Sequence, residues 1–155
     1  MEYFRNENIK YKLIFRATRD GGNSTIFHQK CYGIPKTITL VKTVKGLIFG
    51  GYIDKEWDSN FGWISGDENC FIFSFDLKKI YKPIKGEPKY SFDSNYGPNF
   101  SEFEIGKNLF ERSSLNVQTK QNANKYFIEF NSDYEINGGE QEFQVKELEI
   151  FQIKI

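Results

Sequence analysis

Three acids fall within five positions, Asp54, Glu56 and Asp58, and Asp20 stands apart upstream. Two carboxylates held about 5–9.5 Å apart across a cleft can act as general acid and base. Acids this close together in a stretch rich in Asp, Asn, Ser and Gly more often face water or cap turns through their side-chain oxygens. The same stretch adds Asn60, Asp67 and Glu68, which with Asp54 and Asp58 form a set of oxygen donors of the kind calcium takes. It lacks the EF-hand spacing and that loop's central glycine. Thiol chemistry would fall to Cys31 and Cys70. A reactive thiolate needs neighbouring positive charge or a helix N-terminus. Cys31 has only Lys30 beside it and stands near the end of its expected helix, so both thiols read as small buried hydrophobes. His28 is the lone histidine, and no Cys-x-x-Cys or His-Glu-x-x-His spacing occurs. The expectation is therefore no catalytic residue, no resident metal and no cofactor.

Aromatic side chains carry the other chemistry. Trp57, Phe61 and Trp63 share one loop, where large rings can anchor a protein partner or stack on a sugar. The competing outcome is that the loop folds back and buries them. Arg19 and Asp20 precede Gly21-Gly22 and mark either a recognition surface or, as favoured here, an ion pair and turn cap joining a strand to a helix. The candidate partner-contact residues are thus Trp57, Phe61, Trp63, Arg19 and Asp20. Glu147 and Glu149 alternate onto one face of an apolar run, the solvent face, unless Glu147 is paired with an arginine inside.

The elements that would position these residues are mainly β. Phe, Tyr and Trp number 16, 9 and 2, or 17% of the 155 residues, whereas alanine occurs twice. Flat and β-branched side chains fit a pleated, half-buried surface and lose rotamer freedom on a helix. Lys plus Arg and Asp plus Glu both number 21, for a net charge of zero. A nucleic-acid binder needs a basic face and a polybasic tether needs clustered lysines, so neither class is favoured. No apolar run approaches the roughly 20 residues of a membrane span, and the polar start lacks a signal peptide's apolar stretch. The expected product is a soluble, intracellular domain.

Along the chain, Tyr11–Ala17 reads as a strand with Leu13 and Phe15 on one face. Asn23 or Ser24 caps a helix over Thr25–Cys31, with Ile26 and Phe27 toward the sheet. Thr37–Thr43 and Leu47–Ile53 form a hairpin across Lys45-Gly46. Gly50-Gly51 inside its second strand signals a bulge or the close approach of another segment. Cys70–Asp76 carries Phe71, Phe73 and Phe75 on one face and Ile72 on the other, which places it inside a sandwich. Lys78–Phe92 reads as a short hairpin, Asn99–Ile105 as one strand, Arg112–Asn124 as a polar surface connection and Lys125–Phe130 as a strand. Phe143–Ile155 breaks alternation once, so a long final strand has a bulge or register change near Lys146-Glu147.

Several motifs in this order resemble the TLDc domain, a family linked to resistance against oxidative damage. They are Leu13–Gly21, Phe27-His28 with Cys31, Thr37–Lys42, Ile48–Tyr52, Trp57 with Cys70–Phe75, Tyr96–Pro98 and Phe143–Phe151. The resemblance implies a sandwich of two antiparallel β-sheets with one or two short flanking helices, here a single domain over residues 9–155 after an extension over 1–8. It implies a non-catalytic interaction domain that binds the vacuolar proton-translocating ATPase, with oxidative-stress protection as an indirect result. The expected protein is a cytoplasmic monomer, held near vacuolar or endolysosomal membranes by that partner. The glycine-rich central stretch of many animal members is absent; residues 100–126 are polar instead. A carbohydrate-binding sandwich using Trp57 and Trp63 is the alternative.

Overall fold

The computed structural model describes residues 8–57, 63–87, 89–115, 127 and 130–154. The first layer is built from β1 (Lys10–Arg16), β2 (Thr37–Thr43), β3 (Ile48–Ile53), β5 (Phe71–Ser74), β6 (Lys79–Tyr81) and β11 (Glu142–Lys154). Its antiparallel order is β1-β11-β2-β3-β5-β6. The second layer holds shorter pieces, β4 (Trp63–Ile64), β7 (Tyr90–Ser91), β8 (Asn99–Phe100), β9 (Phe103–Glu104) and β10 (Arg112–Leu115), adjacent in that order. The protein is therefore mainly β, with two antiparallel sheets and few helices.

One strand belongs to both layers. The start of β11 pairs with β10 through Glu142–Gln144, and its remainder pairs with β2 and β1. The register against β2 shifts between Val145 and Glu147, leaving Lys146 as an extra residue. That bulge lets Phe143 and Val145 face inward before it, and Leu148 and Ile150 after it, although the two pairs have opposite parity. The expected register change is found at the expected place.

Two short helices follow β1: α1 (Ala17–Asp20), a single turn, and α2 (Ser24–Cys31). The Asn23 side chain caps α2 by accepting the Thr25 N–H at 2.8 Å. Phe27 on α2 is buried against Phe15, ring centres 6.0 Å apart, and against Trp57 at 5.5 Å. The core lies between the layers, where Phe49 of β3 meets Phe103 at 5.3 Å and Phe143 at 5.1 Å.

Several local expectations are corrected. Leu13 and Phe15 do not share a face, because the β1–β11 register shifts between them; Leu13 opposes Phe151 and Phe15 opposes Ile150. Asn99–Ile105 is a two-strand reversal rather than one strand: β8 and β9 pair, with Phe100 opposite Phe103. Arg112–Leu115, expected in a surface connection, is a strand paired with β9 and β11. Of the strand expected over Lys125–Phe130, only Phe127 and Phe130 are described; both are buried, and Phe127 bridges to Pro83.

The Phe71–Phe73–Phe75 row is also turned the other way from a sandwich interior. Ile72 is the core-facing residue, fully buried, while Phe75 is 53% exposed. The reason is register. Gly51 opposes Ile72 and Gly50 opposes Phe73, so β5 must place its even-numbered side chains on the inner face of β3. The glycine pair reflects close approach, not a bulge, since the β2–β3 register is continuous through it. A β carbon on Gly51 would stand 2.3 Å from the Phe100 ring of the opposite layer.

Candidate functional site

Alternation along the first layer sorts its side chains into two faces. The inner face is the core. The outer face of an antiparallel layer is commonly polar; here it is apolar. Ile38 and Leu40 of β2 lie beside Ile48 of β3, and next to these run Phe71, Phe73 and Phe75, with Ile80 of β6 beyond. On the other side the row continues through Phe151 of β11 to Tyr11 of β1. Together they line a concave groove of about 530 Å³, a volume in the range of ligand-sized sites. Tyr11 and Phe75 are half-exposed, at 52% and 53%. Gly50 makes the floor, where an added β carbon would meet the carbonyl oxygen of Thr39 at 1.8 Å and the tip of Phe73 at 3.0 Å.

The polar margin of this face is specific. Arg16 donates to Glu149 from Nη2 at 2.7 Å and from Nε at 3.0 Å. Glu147 accepts from the Thr18 hydroxyl and from its N–H. The two glutamates do share one face, as alternation implied, and Glu147 takes Thr18 rather than an arginine. At the far end Tyr52 stacks on Phe71, ring centres 5.2 Å apart, and donates its hydroxyl to Asp54 at 2.8 Å. Burial, reinforced by the Asp54 carboxylate, holds the Tyr52 phenol above its ordinary range.

The residues singled out from the sequence scatter. Trp57 is fully buried, with its indole N–H donating to Thr37 Oγ1 at 2.9 Å and its ring packed among Phe27, Tyr90, Phe92 and Phe100. Trp63 is 50% exposed on β4, in the other layer. The two tryptophans therefore do not make a common sugar-stacking platform. Phe61, Asp58 and Asn60 lie outside the described residues. Asp20 works as the cap and ion pair. It accepts the Arg16 backbone N–H at 2.9 Å and the Arg19 guanidinium at 2.8 and 2.9 Å, with Lys30 at 3.8 Å. Arg19 itself is about half exposed.

Among the described residues of the 54–69 stretch, Asp54 and Asp67 are spent on local structure. Asp67 Oδ2 accepts the backbone N–H of Asp54 at 2.9 Å and of Lys55 at 3.2 Å, and the Tyr90 hydroxyl at 3.1 Å. Asp54 takes the Tyr52 hydroxyl and the Asn69 amide. No group of three or more His, Cys, Asp or Glu is placed to hold a metal among the described residues. Beside them Lys89 is fully buried. Its ammonium donates to the carbonyls of Ser65 at 2.6 Å, Glu87 at 2.9 Å and Ile84 at 3.3 Å, and pairs with Glu68 at 3.3 Å. Burial pushes the Cys31 and Cys70 thiols well above their ordinary range, so the nucleophilic thiolate is suppressed at both.

Sequence reasoning missed the groove. The signal was present in the Phe71–Phe73–Phe75 row and in Ile38 and Leu40, but alternation gives two faces without saying which is the inner one.

Among the described residues no helix is long and apolar enough to cross a membrane. The family model described as the TLDc domain matches residues 2–154. A curated relative, the MTOR-associated protein MEAK7 of Danio rerio, is 33% identical over 72 residues, or 46% of this chain. The match spans 16% of that protein, well short of two thirds of its length.

Proposed function

The chain belongs to the TLDc domain family, and from that premise we propose that it is a non-catalytic interaction domain that docks a protein partner on the outer face of its first layer. The observation that carries this reading is the apolar groove. An exposed apolar surface rimmed by polar groups marks an interaction site, because leaving it in water costs free energy that a partner recovers. The surface sits on a six-stranded, hydrogen-bonded layer, so docking orders few groups and loses little entropy.

The proposed partner is the vacuolar proton-translocating ATPase, with the protein monomeric, cytoplasmic and held at vacuolar or endolysosomal membranes through it. The relative's association with mTOR, carried in its name, favours a role in protein assemblies. Stress protection follows indirectly, since both thiols are buried with their thiolates disfavoured. Trp63, Arg19 and Asp20 are proposed as secondary contacts, with Asp20 acting by holding Arg19.

Affinity capture with the full chain, followed by quantitative identification of bound proteins, tests this. Pump subunits are expected with the native chain and are lost with the double substitution Tyr11→Ser, Phe75→Ser, whose circular dichroism stays native because both rings are half in water. Failure to recover pump subunits, or their retention by the double variant, overturns the proposal.

A further inference from the structure

Resting on the docking reading above, we propose that the occupant of the groove is an amphipathic protein helix with carboxylates at the end that lies over β6. Shape is the first argument. The apolar stretch crosses six strands from Tyr11 to Ile80; at about 4.8 Å per strand that is about 24 Å, the length of a helix of about 16 residues. A concave floor with Gly50 at its base receives a convex, ridged body, and a helix with apolar side chains along one face is such a body. A bilayer surface is flat and takes protruding side chains, so it does not fill this shape.

Charge is the second argument. Lys42 continues the outward row of Ile38 and Leu40, Lys82 continues that of Ile80, and Lys78 stands in the turn between β5 and β6. All three are exposed, and none has an ion-pair partner among the described residues. The carboxylates facing this region are already engaged. Asp76 accepts the Ile48 N–H at 2.7 Å, Glu147 binds Thr18 although it opposes Lys42 in register, and Glu149 binds Arg16. Lys42 lies beside Glu147 on the β11 side, whereas Lys78 and Lys82 flank Ile80 and outnumber the single carboxylate of Asp76, which leaves a basic margin over β5 and β6. A helix with acidic residues at one end matches it.

The test uses the full chain and two fluorescein-labelled synthetic 16-residue helices. Both carry Leu and Phe along one face; one ends in three glutamates, the other in three lysines. Anisotropy titration is expected to show the glutamate peptide binding on the order of tenfold more tightly, an advantage that shrinks in high salt. The double variant Lys78→Glu, Lys82→Glu changes only exposed side chains and reverses the order of the two peptides. Equal binding of both, binding of neither, or an order unchanged in the double variant overturns the proposal. So does concentration-dependent dimerisation abolished by Phe75→Ser, or cosedimentation with neutral phosphatidylcholine vesicles. If neither peptide binds while Tyr11→Ser, Phe75→Ser still removes pump subunits in affinity capture, the docking face stands and the acidic helix is excluded.

Discussion

At the scale of single residues, Asp20 shows how a polar side chain that resembles a recognition element holds the backbone instead. Hydrogen bonds from the Arg19 guanidinium lower its pKa from 3.8 to about 2; burial opposes this, and the Arg16 N–H and the charges of Arg19 and Lys30 assist. A carboxylate with a lowered folded-state value stabilises the fold above its unfolded value and loses that contribution as pH falls through the folded one. The stability gap between the native chain and Asp20→Asn is therefore expected to be full above about pH 4 and to close near about pH 2. Urea unfolding midpoints across that window check it, and a gap that widens on acidification contradicts the assignment. The ion pair and cap were legible because Arg, Asp and two glycines in a row leave a strand few other ways to enter a helix. The fates of Trp57 and Trp63 were not legible. Both are large rings in one loop, and only the opposite layer, with Tyr90 and Phe100 around one and water around the other, separates them.

At the scale of elements, the distance between layers is set where a strand lacks side chains. Gly51 of β3 faces Phe100 of β8, whose ring is fully buried and also touches Trp57, Tyr90 and Phe103. An added methyl has no room and the ring has nowhere to go. Gly51→Ala is expected to cost about 1–3 kcal/mol, and pairing it with Phe100→Leu restores part of the loss. Denaturation midpoints of the two variants decide this; Gly51→Ala alone matching the native chain would mean that the layers are free to part. The hairpin of β2 and β3 and the cap of α2 could be read from local chemistry, namely Gly46 at φ +90° and Asn23 on the Thr25 N–H. The shift inside β1 could not. Leu13 and Phe15 are spaced for one face, and only the partner strand β11 reveals that they lie on opposite ones. The groove escaped for the same reason, since the inner face of β5 is fixed by its glycine neighbours on β3.

At the scale of the whole molecule, β11 joins the layers, so neither is expected to unfold without the other. Deleting Lys146 removes the bulge and slips the strand by one residue, which turns either Phe143 and Val145 or Leu148 and Ile150 away from the core. That deletion is expected to abolish the cooperative transition seen by near-ultraviolet circular dichroism, and a variant that still melts sharply would show the bulge to be dispensable. The family and the general fold were within reach of the sequence, since the motifs recur in order along the chain and aromatic content excludes a helical body. The apolar groove was not, because it is a property of two faces assigned only when all six strands are assembled.

Lys89 gives this joined architecture a chemical consequence. With three carbonyls and Glu68 around its ammonium and no surface in water, it is closed to acylating reagents for as long as the fold is intact. Exposed Lys42, Lys78 and Lys82 acylate at once, so the appearance of acyl-Lys89 in a timed mass-spectrometric experiment serves as a clock for opening of the segments that enclose it, whether locally or with the whole fold.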